Sequence, residues 1–275
     1  VWRKLSSVKW EDVWQERLGW LGQRLVMFVF AGGRTLRLEA HQVTRSEADT
    51  LVREFGGEVR TARPLTVRDL EPEPRPPLRV RGRLLVVGTE KERALAGSQA
   101  PEMPRLLIPA TVAFGTGGHA TTAMCLRFLA DVSQELRGGA WDALDLGTGS
   151  GILALASRAL GAGRVEAGDF DPTAVRVAKE NAALNGIRGV VFRRFDVLKW
   201  RPARKWTVVT ANLFSTILVQ AAPQIVDAVA KGGRLILSGI LRAQSDEVLA
   251  AFERQGCRFE RVGRRGKWVT CLARR

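Results

Sequence analysis

At 275 residues and 45% hydrophobic content, the chain is longer than a typical single domain and apolar enough for a proper core. Its net charge of +15 and pI near 11.1, with arginine far outnumbering lysine, point toward anionic partners or surfaces rather than toward any particular fold. No run of eighteen apolar residues exists, and Val1–Trp10 is charged without an apolar stretch, so neither a membrane span nor an export signal is expected.

In chain order, the first predicted element is a helix at about Ser7–Trp20, with Trp10, Val13, Trp14, Arg17, Leu18 and Leu21 at helical spacing. Strands follow at Leu25–Phe30 and Thr35–Val43, separated by the hairpin signal Ala31-Gly32-Gly33-Arg34. A helix at Arg45–Phe55 and a strand at Glu58–Ala62 complete a small α+β domain over residues 1–70. The proline-rich run Pro72–Pro77 is the domain boundary, because it is extended and cannot enter a helix or a central strand. Leu78–Arg81 and Leu84–Val87 flank Gly82 as a short hairpin, so residues 71–104 read as linker plus hairpin. Over residues 105–275 strands and helices alternate, which predicts an α/β, doubly wound, mostly parallel Rossmann-like sheet. The last two strands, Arg258–Val262 and Trp268–Ala273, meet at Gly263-Arg264-Arg265-Gly266 and are expected to pair antiparallel.

The chemistry concentrates in that second part. Leu144-Asp145-Leu146-Gly147-Thr148-Gly149-Ser150-Gly151-Ile152-Leu153 reads as a buried strand, a glycine-rich turn and a helix, an arrangement that cradles a nucleotide-like cofactor. The dinucleotide fingerprint needs a third glycine at Ile152, and a Walker-type phosphate loop needs a lysine that is absent. Asp145, two residues before the first glycine, gains nothing beside a pyrophosphate but attracts a cation, as in the sulfonium and ammonium of S-adenosylmethionine. The next strand ends at Asp169, where a carboxylate can accept both hydroxyls of a ribose. Asp171 with Pro172 reads as a helix cap. Asp196, closing the third strand, is a candidate acceptor for an adenine amino group or a turn residue. Asn212 ends the fourth strand on the edge where open parallel sheets bind ligands, and its amide suits holding a nucleophilic amine. Upstream, the loop Ala113–Thr122 precedes helically spaced Met124, Phe128, Leu129 and Val132, and could cover the cofactor with Phe114.

Five segments taken together resemble the PrmA-type methyltransferases, which methylate lysine and N-terminal amines of large-subunit ribosomal protein eleven. They are Ala113–Thr122, Asp145–Leu153, Asp169–Pro172, Ala211–Leu213 and Leu237-Ser238-Gly239-Ile240-Leu241. The resemblance implies a class I methyltransferase sheet, S-adenosylmethionine as cofactor and a ribosomal protein as partner. Thr122, Gly147, Asp169 and Asn212 match the family's cofactor-binding positions, and Thr116, Gly149 and Asp145 lie in matching segments. Asn212 is the catalytic candidate, while His119 is expected to structure its loop rather than act as a base. The family's D-W-x-x-x-W linker is absent here, and its nearest echo, Lys9–Trp14, lies at the other end of the chain. That departure leaves open an RNA or small-molecule methyltransferase using the same cofactor site. The basic run Arg258, Arg261, Arg264, Arg265, Lys267, Arg274 and Arg275 makes RNA contact through the C-terminal hairpin an expectation. Cys125, Cys257 and Cys271 lack metal-ligand spacing and are expected to be buried thiols in a reducing cytoplasm. With two histidines, neither a metal site nor a Ser-His-Asp triad is expected.

Overall fold

The computed structural model describes residues 1–29, 34–60, 77–109 and 118–275. The hairpin residues 31–33, most of the proline-rich run, and the loop segment carrying Phe114 and Thr116 lie outside the described residues. The chain divides into two compact units, Val1–Glu73 and Pro74–Arg275.

In the first unit, β1 (Trp2–Ser7), α1 (Glu11–Arg17), β2 (Leu25–Val29), β3 (Thr35–Ala40), α2 (Arg45–Phe55) and β4 (Glu58–Val59) build an antiparallel sheet of order β2-β3-β1-β4. The inner strand β1 is missing from the sequence reading, which starts a helix at Ser7. Its single anchor is Trp2, fully buried, whose indole N–H donates to the Gly56 carbonyl at 2.9 Å. The expected long helix is instead broken into a 3-10 turn, the seven-residue α1 and a second 3-10 stretch. Leu18 and Leu21 enter the core, but Trp10 is 48% exposed. The helix at Arg45–Phe55 starts where expected because Thr44 and Glu47 form a reciprocal capping box.

The second unit opens with β5 (Leu78–Val80) and β6 (Leu84–Val87), then α3 (Glu90–Gln99) and β7 (Arg105–Leu107), which pairs parallel to β6. This stretch is more than a linker and a hairpin. One face of its three-stranded sheet (Val80, Leu84, Val86, Leu106) joins the main core, and the other (Leu85, Val87, Leu107) packs with Ala96 of α3. Then come α4 (Ala120–Glu135), β8 (Asp142–Leu146), α5 (Ile152–Ala159), β9 (Arg164–Asp169), α6 (Pro172–Leu184), β10 (Val190–Arg194) and β11 (Trp206–Asn212). α7 (Ser215–Ala228), β12 (Val229–Leu241), α8 (Ser245–Glu253), β13 (Arg258–Arg265) and β14 (Trp268–Arg274) end the chain.

The seven large-sheet strands run in the order β10-β9-β8-β11-β12-β14-β13. The first five are parallel, and β14 is antiparallel to both of its neighbours. This is the class I methyltransferase sheet. Side chains alternate across it with the period of two that a pleated strand imposes. Ala143, Val208, Ile236 and Leu272 face the core under α4 and α5, while Leu144, Val209, Leu235 and Cys271 face the core under α7 and α8. All three cysteines are buried free thiols, and burial pushes Cys125 and Cys271 up to about 12. Among the described residues, no helix is long and apolar enough to cross a membrane.

The small sheet is tied to α6 by a side chain. Asn185 accepts from the Leu107 amide at 2.7 Å and donates to the Leu107 and Asn181 carbonyls at 2.8 Å each. Removing it leaves two backbone groups of Leu107 without these partners. Asn185→Ala should therefore destabilise the C-terminal unit by about 1–3 kcal/mol in urea titration. An unchanged unfolding midpoint would show that the amide is no anchor.

Candidate active site at the carboxyl edge of the large sheet

Strands β8, β9 and β11 end side by side. Leu146 is level with Gly168 on one side and Ala211 on the other, and Asn212 is level with Ser238 of β12. Gly147, Asp169 and Asn212 are thereby brought to one edge. The glycine loop spends its own amides internally: Gly147 and Thr148 both donate to the Gly168 carbonyl, at 2.9 and 3.0 Å, and Gly149 donates to Asp169 Oδ2 at 2.9 Å. A phosphate cradle needs those amides free, so the loop is unsuited to a pyrophosphate. Asp169 Oδ1 accepts from the Asp171 amide at 3.0 Å, and each carboxylate oxygen keeps a further lone pair.

Asp145 is placed differently from what its motif position suggests. It is 1% exposed, and its oxygens accept from the hydroxyls of Thr148 and Thr210, each at 2.6 Å. The carboxylate is a strut between loop and β11. Burial, outweighing the two hydroxyl bonds and reinforced by the nearby Asp169, pushes its pKa up to about 6. Against an ordinary aspartate near 3.9, that is a penalty of roughly 3 kcal/mol on the charged form.

Two polar atoms point to missing partners. Thr122 Oγ1, in the first turn of α4, and Asn212 Oδ1 are both buried and have no hydrogen-bond partner among the described residues. That turn is held at the same edge, because His119 caps α4 and its ring meets Trp268 of β14 edge-on at 5.1 Å. His119 thus serves as the N-cap of α4. Asp196 accepts from the Leu198 amide at 3.0 Å, and its carbonyl takes the Lys199 and Trp200 amides. It is a turn cap whose neighbour Phe195 bonds to the Asp169 carbonyl.

Three residues of the site have roles that the motif reading does not assign. Thr148 and Thr210 hold Asp145, and only the polar Thr210 inside an apolar strand signals it. The third is Leu213. Its side chain fills the space a Cβ would need at Gly147, and its backbone fills the corresponding space at Gly239. Both glycines also have positive φ, +72° and +81°. The glycines of two separate motifs therefore make room for one leucine, and the leucine amide bonds to the Ser238 carbonyl at 3.1 Å. Gly151, likewise, lets α5 approach Ala178 of α6.

The two glycines should respond differently to substitution. Alanine at either position is expected to cost roughly 2–4 kcal/mol in urea unfolding. Adding Leu213→Ala should recover part of the loss for Gly147→Ala, where the overlap is with the side chain. It should recover none for Gly239→Ala, where the overlap is with backbone. Equal recovery in both double variants would refute the wedge.

Residues 74–275 match the family model of ribosomal protein L11 methyltransferase (PrmA). The ribosomal protein L11 methyltransferase of Pelobacter propionicus is 42% identical over 200 residues, covering 72% of this chain and 63% of that protein. Its counterpart in Azotobacter vinelandii is 46% identical over 157 residues, or 56% of this chain and 52% of that one. The crystal structure of the ribosomal protein L11 methylase from Lactobacillus delbrueckii subsp. bulgaricus aligns with a TM-score of 0.59 at 28% identity, covering 72% of this chain and 96% of that chain. The chain spans less than two thirds of the length of the curated relatives it matches. With the family model matched over residues 74–275 and five family motifs present in order, this chain belongs to the ribosomal protein L11 methyltransferase family.

Proposed function

We propose that the chain is an S-adenosylmethionine-dependent N-methyltransferase acting on lysine or N-terminal amines of a large-subunit ribosomal protein in the cytoplasm. The observation that carries this reading is the buried, unpartnered Oδ1 of Asn212 at the sheet's carboxyl edge. A buried acceptor without a partner costs about 1–3 kcal/mol, which is expected where a ligand supplies the missing donor.

The residues fit the cofactor. Thr122 offers a second orphan oxygen, Asp169 has lone pairs for two ribose hydroxyls, and Asp145 adds a buried negative charge below the glycine loop. Gly147 and Gly149 shape the loop that presents these groups, and Asp196, two residues beyond β10, keeps carboxylate lone pairs beside its turn bond to Leu198 for an adenine amino group. Thr116 is assigned with them on its motif alone. S-adenosylmethionine supplies a methyl group on a sulfonium, already activated toward displacement.

The chain's task is then to position and desolvate the amine. Asn212 Oδ1 accepts an amine N–H and turns the nitrogen lone pair toward the methyl carbon. Leu213, held between Gly147 and Gly239, fixes the backbone that aims that amide. An ordinary lysine amine has a pKa near 10.4, and a desolvated edge favours its neutral, nucleophilic form. His119 is engaged as a helix cap, so desolvation rather than that ring promotes loss of the proton.

The second reading, methylation of RNA or a small molecule, draws on the arginines of the C-terminal hairpin. Against a base substrate, Asn212-Leu213-Phe214 lacks the paired prolines that shape a slot for a flat ring. Incubation with labelled S-adenosylmethionine and ribosomal components, followed by separation of protein from RNA, decides between them. Label in one large-subunit protein is expected, and label in RNA alone would overturn the proposal.

Asn212→Ala should lower kcat about 100-fold or more while the unfolding midpoint stays level or rises, because the variant loses an unsatisfied buried atom. Unchanged turnover would remove Asn212 from the mechanism. The charge on Asp145 is present above pH 6 and lost below it. Calorimetric affinity for the cationic cofactor should therefore fall as pH drops from 7.5 to 5, and Asp145→Asn should flatten that dependence. The same shift has a stability sign: the folded state holds the proton up to about pH 6 and the unfolded state only to about 4, so wild-type stability falls relative to Asp145→Asn as pH rises through that window.

A further inference from the structure

The carboxyl edge that carries the candidate site is divided by charge. Its β9–β10 side holds Asp169, Asp171 and Asp196, with Arg194 engaged by the Phe170 carbonyl at 3.2 Å. The opposite side is formed where β12, β13 and β14 turn over. Leu241 is level with Trp268, Arg265 with Trp268, and the Arg242 amide bonds to the Lys267 carbonyl at 2.8 Å. Arg242, Arg264, Arg265 and Lys267 are thus gathered at one corner, and the three arginines are exposed.

The arginines of this hairpin and of the neighbouring β12 fall into two groups. Toward the opposite edge of the sheet they engage carboxylates of the fold, Asp131 being shared with Arg81 and Glu260 with Arg234 and Arg258. Arg274 pairs with Glu260 at 2.8 Å, Arg234 with Glu135 at 3.0 Å, and Arg261 with Asp131 at 2.6 Å. Arg275 caps carbonyls at the end of α7. At the carboxyl edge, Arg242, Arg264 and Arg265 have no acidic partner among the described residues. Asp246 and Glu247, in the first turn of α8, form no ion pair with them. Strand spacing puts this corner roughly 10–20 Å from Asn212, close enough to contact whatever carries the substrate amine.

We propose that this corner, formed by Arg242, Arg264 and Arg265, docks the phosphate backbone of RNA beside the methylation site. The inference rests on the reading of the chain as an amine methyltransferase of a ribosomal protein. A substrate amine is a cation until it is deprotonated, so a cationic corner does not draw it in. The phosphates of RNA associated with such a protein are drawn in, and the planar arginine fork matches them with paired hydrogen bonds. The acidic half of the edge suits a cationic cofactor and the basic half a polyanion, with Asn212 on β11 between them.

The test is an anisotropy titration of the full chain with a labelled, mixed-sequence 20-nucleotide RNA over 50–200 mM KCl. The variants are Arg242→Gln/Arg264→Gln/Arg265→Gln and a control of equal charge loss on the opposite edge, Arg137→Gln/Arg188→Gln/Arg254→Gln. The corner variant should bind roughly tenfold or more weakly at low salt, with a log–log salt slope shallower by about 2, near 0.7 for each lost phosphate contact. The control should stay close to wild type, and unchanged unfolding midpoints confirm that both variants are folded. Equal losses in the two variants would reduce the effect to net charge and overturn the proposal. So would a wild-type chain that binds a poly-glutamate peptide more tightly than RNA, which would make the partner an acidic protein. S-adenosylmethionine calorimetry on the same wild-type sample separates the two readings. RNA binding lost only in the corner variant, without cofactor binding in wild type, would leave the docking surface standing and remove the methyltransferase reading.

Discussion

The carboxylate of Asp145, sealed between the hydroxyls of Thr148 and Thr210, connects the glycine loop to the strand that carries Asn212. A buried charge is tolerated only when its hydrogen-bonding capacity is met, and breaking one partner is worse than never burying it. The two threonines therefore fix the relative height of β8 and β11, and with it the distance between Gly147 and Asn212. Leu213 then continues the same constraint outward, since it fits only if Gly147 and Gly239 both lack a Cβ. Three motif segments that are far apart in sequence become one mechanical unit around these contacts.

That arrangement explains which parts of the chain were legible in advance. The large sheet, its parallel order and the terminal hairpin follow from apolar strands alternating with amphipathic helices, and the structure has them. The position of Asp169 and Asn212 at one edge was readable because each ends a strand of a parallel sheet. The contact of Gly147 and Gly239 with Leu213 was not legible, because sequence spacing cannot say which distant side chain or backbone a missing Cβ admits. Only the fold, likewise, reveals that Thr148 and Thr210 enclose Asp145.

The first unit was less legible. Trp2–Ser7 is polar and short, and it becomes an inner strand because one fully buried tryptophan and pairing on both sides outweigh weak local preference. Trp10 shares the helical spacing of the core residues but falls in a 3-10 turn, whose tighter period rotates it into solvent. Residues 77–104 looked like connection because Pro72–Pro77 dominates the local composition, whereas their burial depends on helices that come later in the chain.

The Asn185 clamp carries a consequence for synthesis. Its partner, Leu107, lies 78 positions earlier, and the wholly buried run Leu84–Val87 precedes it. At about 5–20 residues per second, the nascent chain exposes this apolar sheet for roughly 4–16 s before α6 has emerged to fasten it. During that interval the segment is an unsealed edge on the ribosome, and the speed of elongation, rather than final stability, governs its exposure to misassociation.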